Sequence, residues 1–380
     1  MKDDLMLAVV KEKSTPGVRL KKIPIPKPKK GEVLVKVKYA SICGTDIGIY
    51  NWIPWAAAHI KPPLVIGHEL VGEVIAINYD AKSTDKRAGG AKRGAPIKPQ
   101  RSEDLFGAVE RQNLPKSEIL QNHQDIKIGD LVSSETHIFC LNCYQCTIKN
   151  YHVCENMKLF GIGRDGCFAE YATIPFRTTW KNSKKIPLKA MSVQEPLGNA
   201  VNVVTKADVK GKKVLVMGLG PTGLCAGMVA KVKGAREVVG VNRRPYRRRL
   251  AKKIGFDRVT DKLNPNEYGT FDVVLEMSGN RLGIQVGLDA VRIAGKIIAF
   301  GIPKEDISVD WGKYLINKEL SIGSIFGREI WTTWEETSNL LKSGKIDVTK
   351  IITHEFKLSE FEKAMKVMKS GECGKILLKV

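Results

Sequence analysis

The spacing of apolar positions changes near residue 212. Beyond it, short apolar runs suited to buried strands alternate with segments whose apolar residues recur every three or four positions. Residues 213–217, 237–241, 271–275 and 296–300 read as strands, and 221–233, 246–254 and 282–293 as helices. Strands alternating with helices predict an α/β unit with a parallel, doubly wound sheet. Earlier in the chain, residues 33–37 and 71–77 alternate only roughly, as half-buried antiparallel strands do. No helical period emerges between residues 31 and 75. From His354 the alternation stops, and the last residues are expected to return to the first domain.

The stretch 80–124 breaks both patterns. It carries Gly89, Gly90, Gly94, Pro96, Pro99 and Pro115 among many charges, and few large apolar residues. It has little surface to bury and reads as a long excursion with one or two helical turns at 104–111.

Composition narrows the class. At 380 residues the chain exceeds one simple core, so two domains are expected. With 43% hydrophobic and 27% charged residues it reads as a globular protein. No apolar run reaches the ~18 residues that span a bilayer. The start, Met1-Lys2-Asp3-Asp4, lacks the basic-then-apolar order of a signal peptide, so a cytoplasmic location and no membrane partner are expected. The net charge of +22 raises nucleic acid as a partner. No recognition motif accompanies it, and a lysine-rich solvated surface explains the excess without one.

Three groups of residues carry chemistry. Val214 to Thr222 and Gly223 form strand, then Gly218-Leu219-Gly220-Pro221-Thr222-Gly223, then helix, the dinucleotide fingerprint. Its glycines permit a tight turn, approach of a pyrophosphate to the backbone and close helix–strand packing, with the phosphates at a helix N-terminus. The end of the second strand, where a ribose-binding carboxylate is usual, reads Asn242-Arg243-Arg244. Arginines there suit a 2′-phosphate, so NADP is expected over NAD, with NAD still possible. Arg247, Arg248 and Arg249 extend the cluster along the next helix.

Four of the eight cysteines, Cys140, Cys143, Cys146 and Cys154, fall within fifteen residues. Four thiolates suit one tetrahedral structural zinc. An iron–sulfur cluster is the rival, but its usual run places the last cysteine three residues on and follows it with proline. Here the gap is seven residues and Glu155 follows. A chemical metal needs an open position, and Cys43-Gly44-Thr45-Asp46 and Gly67-His68-Glu69 are its candidates.

In that order these elements resemble the zinc-containing medium-chain dehydrogenase/reductase family, and within it the members that oxidise the secondary hydroxyl of L-threonine. The resemblance covers nearly the whole chain apart from about forty residues after Asp80, and it extends to Tyr50-Asn51-Trp52-Ile53-Pro54-Trp55, Gln194 to Val201, Glu276-Met277-Ser278-Gly279, Gly327-Arg328-Glu329 and Ile351-Ile352-Thr353-His354. It implies a GroES-like β-rich catalytic domain over 1–202, with the insert at 81–124 and a structural-zinc lobe at 140–154. A Rossmann domain follows over 203–352, and 353–380 returns to the catalytic domain. It further implies that Cys43, His68, Glu69 and Glu195 are catalytic zinc ligands or their exchange partners, and that Thr45 takes the substrate proton. One zinc of each kind per chain, an alcohol substrate and a homotetramer follow from the same resemblance. One position departs from it. Family members commonly carry a proton-passing His five residues after the zinc-binding Cys, and here that position is Gly48. The departure keeps a polyol, sugar or vicinal-diol substrate open beside threonine.

Overall fold

The computed structural model describes residues 4–78 and 126–380. The excursion at 80–124, with its helical turns, lies outside the described residues.

Strand Glu32–Ser41 organises the first half. It pairs antiparallel with Glu69–Asn78 over its length, with Tyr171–Pro175 at its start and with Lys375–Lys379 at its end. Two register shifts along it, at Leu34/Val35 and Val37/Tyr39, let one strand bend between these partners. Its first residues, Glu32 to Val35, are buried on both faces, more than the half-buried pattern predicts, and Val33, Val35 and Val37 join Phe160, Phe168 and the C-terminal helix Phe361–Ser370 in one core. The final strand, Lys375–Lys379, also runs parallel to Ile352–Lys357 in this sheet.

Two helices stand where no helical period was expected, Gly44–Asn51 and Pro54–His59. Both are short. The first is started by a capping arrangement in which the Asp46 carboxylate accepts the Cys43 N–H at 2.8 Å, and the second by Pro54 at its first position. Local capping, not an apolar stripe, makes them. The helix Gln194–Ala207 carries an apolar stripe, Leu197, Ala200, Val201, Val204 and Ala207, opposite Glu195, Asn199, Asn202 and Lys206, and of these only Lys206 is exposed.

The second half carries a six-stranded, all-parallel sheet. Numbering its strands from Lys213–Met217 along the chain, their order is 3-2-1-4-5-6, the doubly wound arrangement. One boundary differs from expectation. The helix read at 282–293 spans Arg281–Ala290, and the strand read at 296–300 already begins at Val291 and runs to Ala299. Val291 pairs with Phe271, and the ladder resumes at Val273 and Lys296 after an irregularity that holds Ala294 at φ 55°. Pairing with the neighbouring strand thus outcompetes helix extension there.

Candidate metal and dinucleotide sites

Cys43 caps the helix Gly44–Asn51, and His68-Glu69 enters the sheet after Gly67. Gly67 has φ 94°, and a Cβ on it would lie 2.3 Å from the Phe168 ring, so no other residue turns the chain here without displacing Phe168. The result brings ligand atoms of Cys43, His68 and Glu69 within 4.8 Å of one another. Glu69 and His68 are buried, while Cys43 is partly exposed. Behind them, His68 Nδ1 and Asp46 Oδ1 are both buried without a hydrogen-bond partner, 3.8 Å apart. Burial works to lower the His68 pKa, yet the contacts with Cys43 and the carboxylates of Asp46 and Glu195 outweigh it and push it up to about 10. The pocket brings sulfur, nitrogen and oxygen donors together. A thiolate, an imidazole and a carboxylate with one side left open fit zinc in a chemical site. Thr45 is adjacent, its Oγ1 3.8 Å from Cys43 Sγ. At Gly48, a Cβ would lie 3.0 Å from Ile53 Cδ1, so an apolar side chain fills the space that a histidine there would enter.

Two of the carboxylates near this cluster, Glu69 and Glu195, have cationic partners with no local signal in the sequence. Glu69 is paired with buried Lys375, whose Nζ lies 2.7 Å from Oε1, and also accepts from Ser41 Oγ. Glu195 is paired with fully buried Arg328 and does not join the three residues that converge within 4.8 Å. Burial would raise the Glu195 pKa, but the Arg328 charge and His68 outweigh it and hold the carboxyl below its ordinary range. Arg328 also donates to Glu135, through Nε to Oε2 at 3.0 Å. Gly327-Arg328-Glu329 is legible as a family-like motif, but nothing local to it names partners 193 and 133 residues away.

The four cysteines of the lobe converge within 4.8 Å, and none is in a disulfide. Backbone N–H groups point at the sulfurs, with Cys140 N 3.3 Å from Cys154 Sγ and Asn142 N 3.5 Å from Cys140 Sγ. Burial raises the Cys140 pKa, but donors from Asn142, Cys154 and Asn156 prevail and bring it to about 6, whereas burial pushes the neighbouring Cys146 up to about 12. The lobe packs against Ile330, Trp331 and Trp334.

The glycine turn lies where the doubly wound sheet reverses direction, between the first and fourth strands. A Cβ on Gly223 would sit 2.0 Å from the Gly218 carbonyl oxygen, and Gly218 itself has φ 98°. Gly220 caps the twelve-residue helix whose first turn holds Pro221 and Thr222, so free N–H groups face the space above. A cavity of about 550 Å³ opens there, lined by Gly218, Gly220, Asn242, Arg243, Arg244 and Arg247, among others. The arginines differ in use. Arg244 donates to the Ser370 carbonyl from beside Gly371. Arg248 braces the loop by donating to the carbonyls of Asn242 and Arg243, both at 2.8 Å. Arg247 lines the cavity with a buried Nε that has no partner among the described residues. By its place in the sequence Arg247 only extends the basic cluster along its helix; the tertiary fold turns it inward.

Comparison with known proteins agrees with this architecture. Residues 221–343 match the zinc-binding dehydrogenase family model, and residues 29–89 and 87–187 the alcohol dehydrogenase GroES-like domain. The chain belongs to the zinc-binding alcohol dehydrogenases of the medium-chain dehydrogenase/reductase family. It is 39% identical over 385 residues to L-threonine 3-dehydrogenase of Pyrococcus abyssi, covering 98% of each chain. Over 387 residues it is 40% identical to L-threonine 3-dehydrogenase of Caldanaerobacter subterraneus, covering 99% of each. Alcohol dehydrogenase TADH from Thermus sp. ATN1 superposes with a TM-score of 0.78 at 25% identity, over 99% of this chain and all of that one. The protein is a threonine-dehydrogenase-like zinc-dependent alcohol dehydrogenase that works with zinc and a nicotinamide cofactor. Among the described residues no helix is long and apolar enough to cross a membrane.

Proposed function

We propose that the enzyme oxidises the secondary hydroxyl of L-threonine to 2-amino-3-oxobutanoate, with NADP preferred over NAD. The observation that carries this reading is the convergence of Cys43, His68 and Glu69 within 4.8 Å in a chain so similar to threonine dehydrogenases over its length. Cys43, His68 and Glu69 hold the catalytic zinc, with Glu195 as an exchange partner, and Cys140, Cys143, Cys146 and Cys154 hold a second, structural zinc. When bound, zinc supplies Lewis acidity toward an alcohol oxygen and the nicotinamide supplies the hydride acceptor. The chain's own residues do the rest. Thr45 takes the hydroxyl proton, and Asp46 orients the His68 ring through its Nδ1 side. Gly218, Gly220, Pro221, Thr222 and Gly223 seat the pyrophosphate, and Arg243 with Arg247 reads a 2′-phosphate that no carboxylate at Asn242 repels.

The catalytic domain comprises 1–202 and 353–380 and the cofactor domain 203–352, and the enzyme works as a cytoplasmic homotetramer. A polyol, sugar or vicinal diol is the second reading, favoured by Gly48 and the Ile53 side chain against it, which leave no imidazole at that place. Turnover measured on threonine, diols and aldoses with each cofactor decides between them. Higher kcat/KM on a diol or aldose than on threonine would replace the first reading by the second.

A further inference from the structure

Glu135 belongs neither to the cysteine and histidine clusters nor to the dinucleotide cavity, yet it is fully buried and its carboxylate is saturated. Oε1 accepts from the His137 backbone N–H at 2.9 Å, faces His137 Nδ1 at 2.7 Å and accepts from Arg328 Nη2. Oε2 accepts from Arg328 Nε at 3.0 Å and from Trp334 Nε1 at 2.7 Å. Two parallel N–H groups of one guanidinium are thus spent on Glu135, and this fork fixes the plane of the group. Its remaining nitrogen, Nη1, then points at Glu195, where it meets the side-chain Oε1, the backbone carbonyl at 3.1 Å and Asn199 Oδ1 at 2.9 Å. The stem of Arg328 is pressed on Gly198, where a Cβ would lie 2.5 Å from Cδ, so the guanidinium has little room to reorient by moving its stem.

We propose that Glu135 is a positioning residue for the reaction: by locking Arg328 it sets whether the Glu195 carboxylate stays on the guanidinium or turns to the cluster of Cys43, His68 and Glu69. The inference rests on the reading of that cluster as a metal site. Glutamine at 135 has the shape of glutamate, but its NH2 group must face N–H donors on at least one side. Two donors cannot share that contact, so the guanidinium shifts and Glu195 loses its main partner. Trp334, which holds the other edge of Glu135, is packed against the four-cysteine lobe, so Glu135 is anchored from a second element.

The test uses the full chain with cobalt in place of zinc, because the visible bands of cobalt report its ligands. Glu135→Gln is expected to shift the bands relative to the unaltered protein. In a Glu195→Gln background Glu135→Gln is expected to produce no further shift. Arg328→Lys, which keeps a charge but removes the fork, gives the same shift and stands in if Glu135→Gln does not fold. Unchanged bands in folded Glu135→Gln or Arg328→Lys overturn the proposal, as does a further shift in the double variant. Cobalt uptake separates the underlying reading: if Cys43→Ser binds as much cobalt as the unaltered protein, the metal reading fails and the proposal falls with it. Loss of one cobalt in Cys43→Ser without any band shift in the Glu135 and Arg328 variants sinks the proposal alone.

Discussion

His68 Nδ1 lies 3.8 Å from Asp46 Oδ1 in the wall behind Cys43, and both atoms are buried with no hydrogen-bond partner among the described residues. A metal-binding imidazole typically donates its second ring nitrogen to a carboxylate, which fixes the ring and raises its basicity. Asp46→Asn is therefore expected to lower zinc affinity at the Cys43 site about 10–100-fold, since loss of such a partner commonly has that effect. Chelator competition on the purified variant measures it. Affinity equal to that of the unaltered protein would show that Asp46 only caps its helix.

Cys43→Ser and Cys143→Ser should separate the two metal roles. Cys43→Ser is expected to abolish turnover while the protein remains folded, because it alters the open cluster. Cys143→Ser is expected to lower thermal stability first, because its sulfur lies in the closed set that packs on Trp331 and Trp334. Metal analysis should give two zinc ions per unaltered chain and fewer in each variant. Iron with visible absorbance would sink the zinc assignment of the four thiolates.

Arg243→Ala and Arg247→Ala should each raise the KM for NADP and leave that for NAD little changed. A hydrogen bond to a charged group contributes about 1.5–3 kcal/mol. A loss of ~1.4 kcal/mol is already tenfold in affinity. Arg247 is expected to matter as Arg243 does, because it lines the cavity with Nη1 beside Gly220. Arg244, engaged with the Ser370 carbonyl, should have the smaller effect. Equal kcat/KM for the two cofactors in the unaltered enzyme would overturn the preference.

Acid should act on Glu135. Burial works to raise its pKa, but the charge of Arg328 and the contacts from His137 outweigh it and hold the carboxyl far below its ordinary 4.5. A depressed folded-state pKa gives stability that is full above the unfolded value and lost as pH falls through the folded one. Breaking one side of a buried ion pair costs about 3–5 kcal/mol. Glu135→Gln should therefore be less stable at neutral pH, with the difference constant down to about pH 4.5 and narrowing below it. Denaturant unfolding at several pH values checks this, and a difference that widens on acidification would contradict it.

Local signals were legible because each needs only neighbouring residues. The glycines at 218, 220 and 223 mark a turn that backbone crowding demands, and the cysteines at 140, 143, 146 and 154 have the spacing at which one ion can collect them. The alternation beyond residue 212 records burial in layers, and it predicted the parallel sheet. Helix Gln194–Ala207 has its period in the sequence, with Leu197, Ala200, Val201, Val204 and Ala207 opposite Glu195, Asn199 and Asn202, but that its polar face is also buried is settled by tertiary packing. The short helices Gly44–Asn51 and Pro54–His59 depend on caps rather than on a stripe.

The sequence by itself determined the class of fold, the two candidate metal sets and the cofactor turn, because those rest on spacing and on backbone geometry. Only the tertiary structure decided which charges meet. Lys375 reaches Glu69 across 306 residues, and Arg328 reaches Glu135 across 193. A buried charge must find its partner wherever packing brings one, since leaving it unpaired costs several kcal/mol. No local pattern encodes that choice, because it is made by which desolvated groups the closed core presses together.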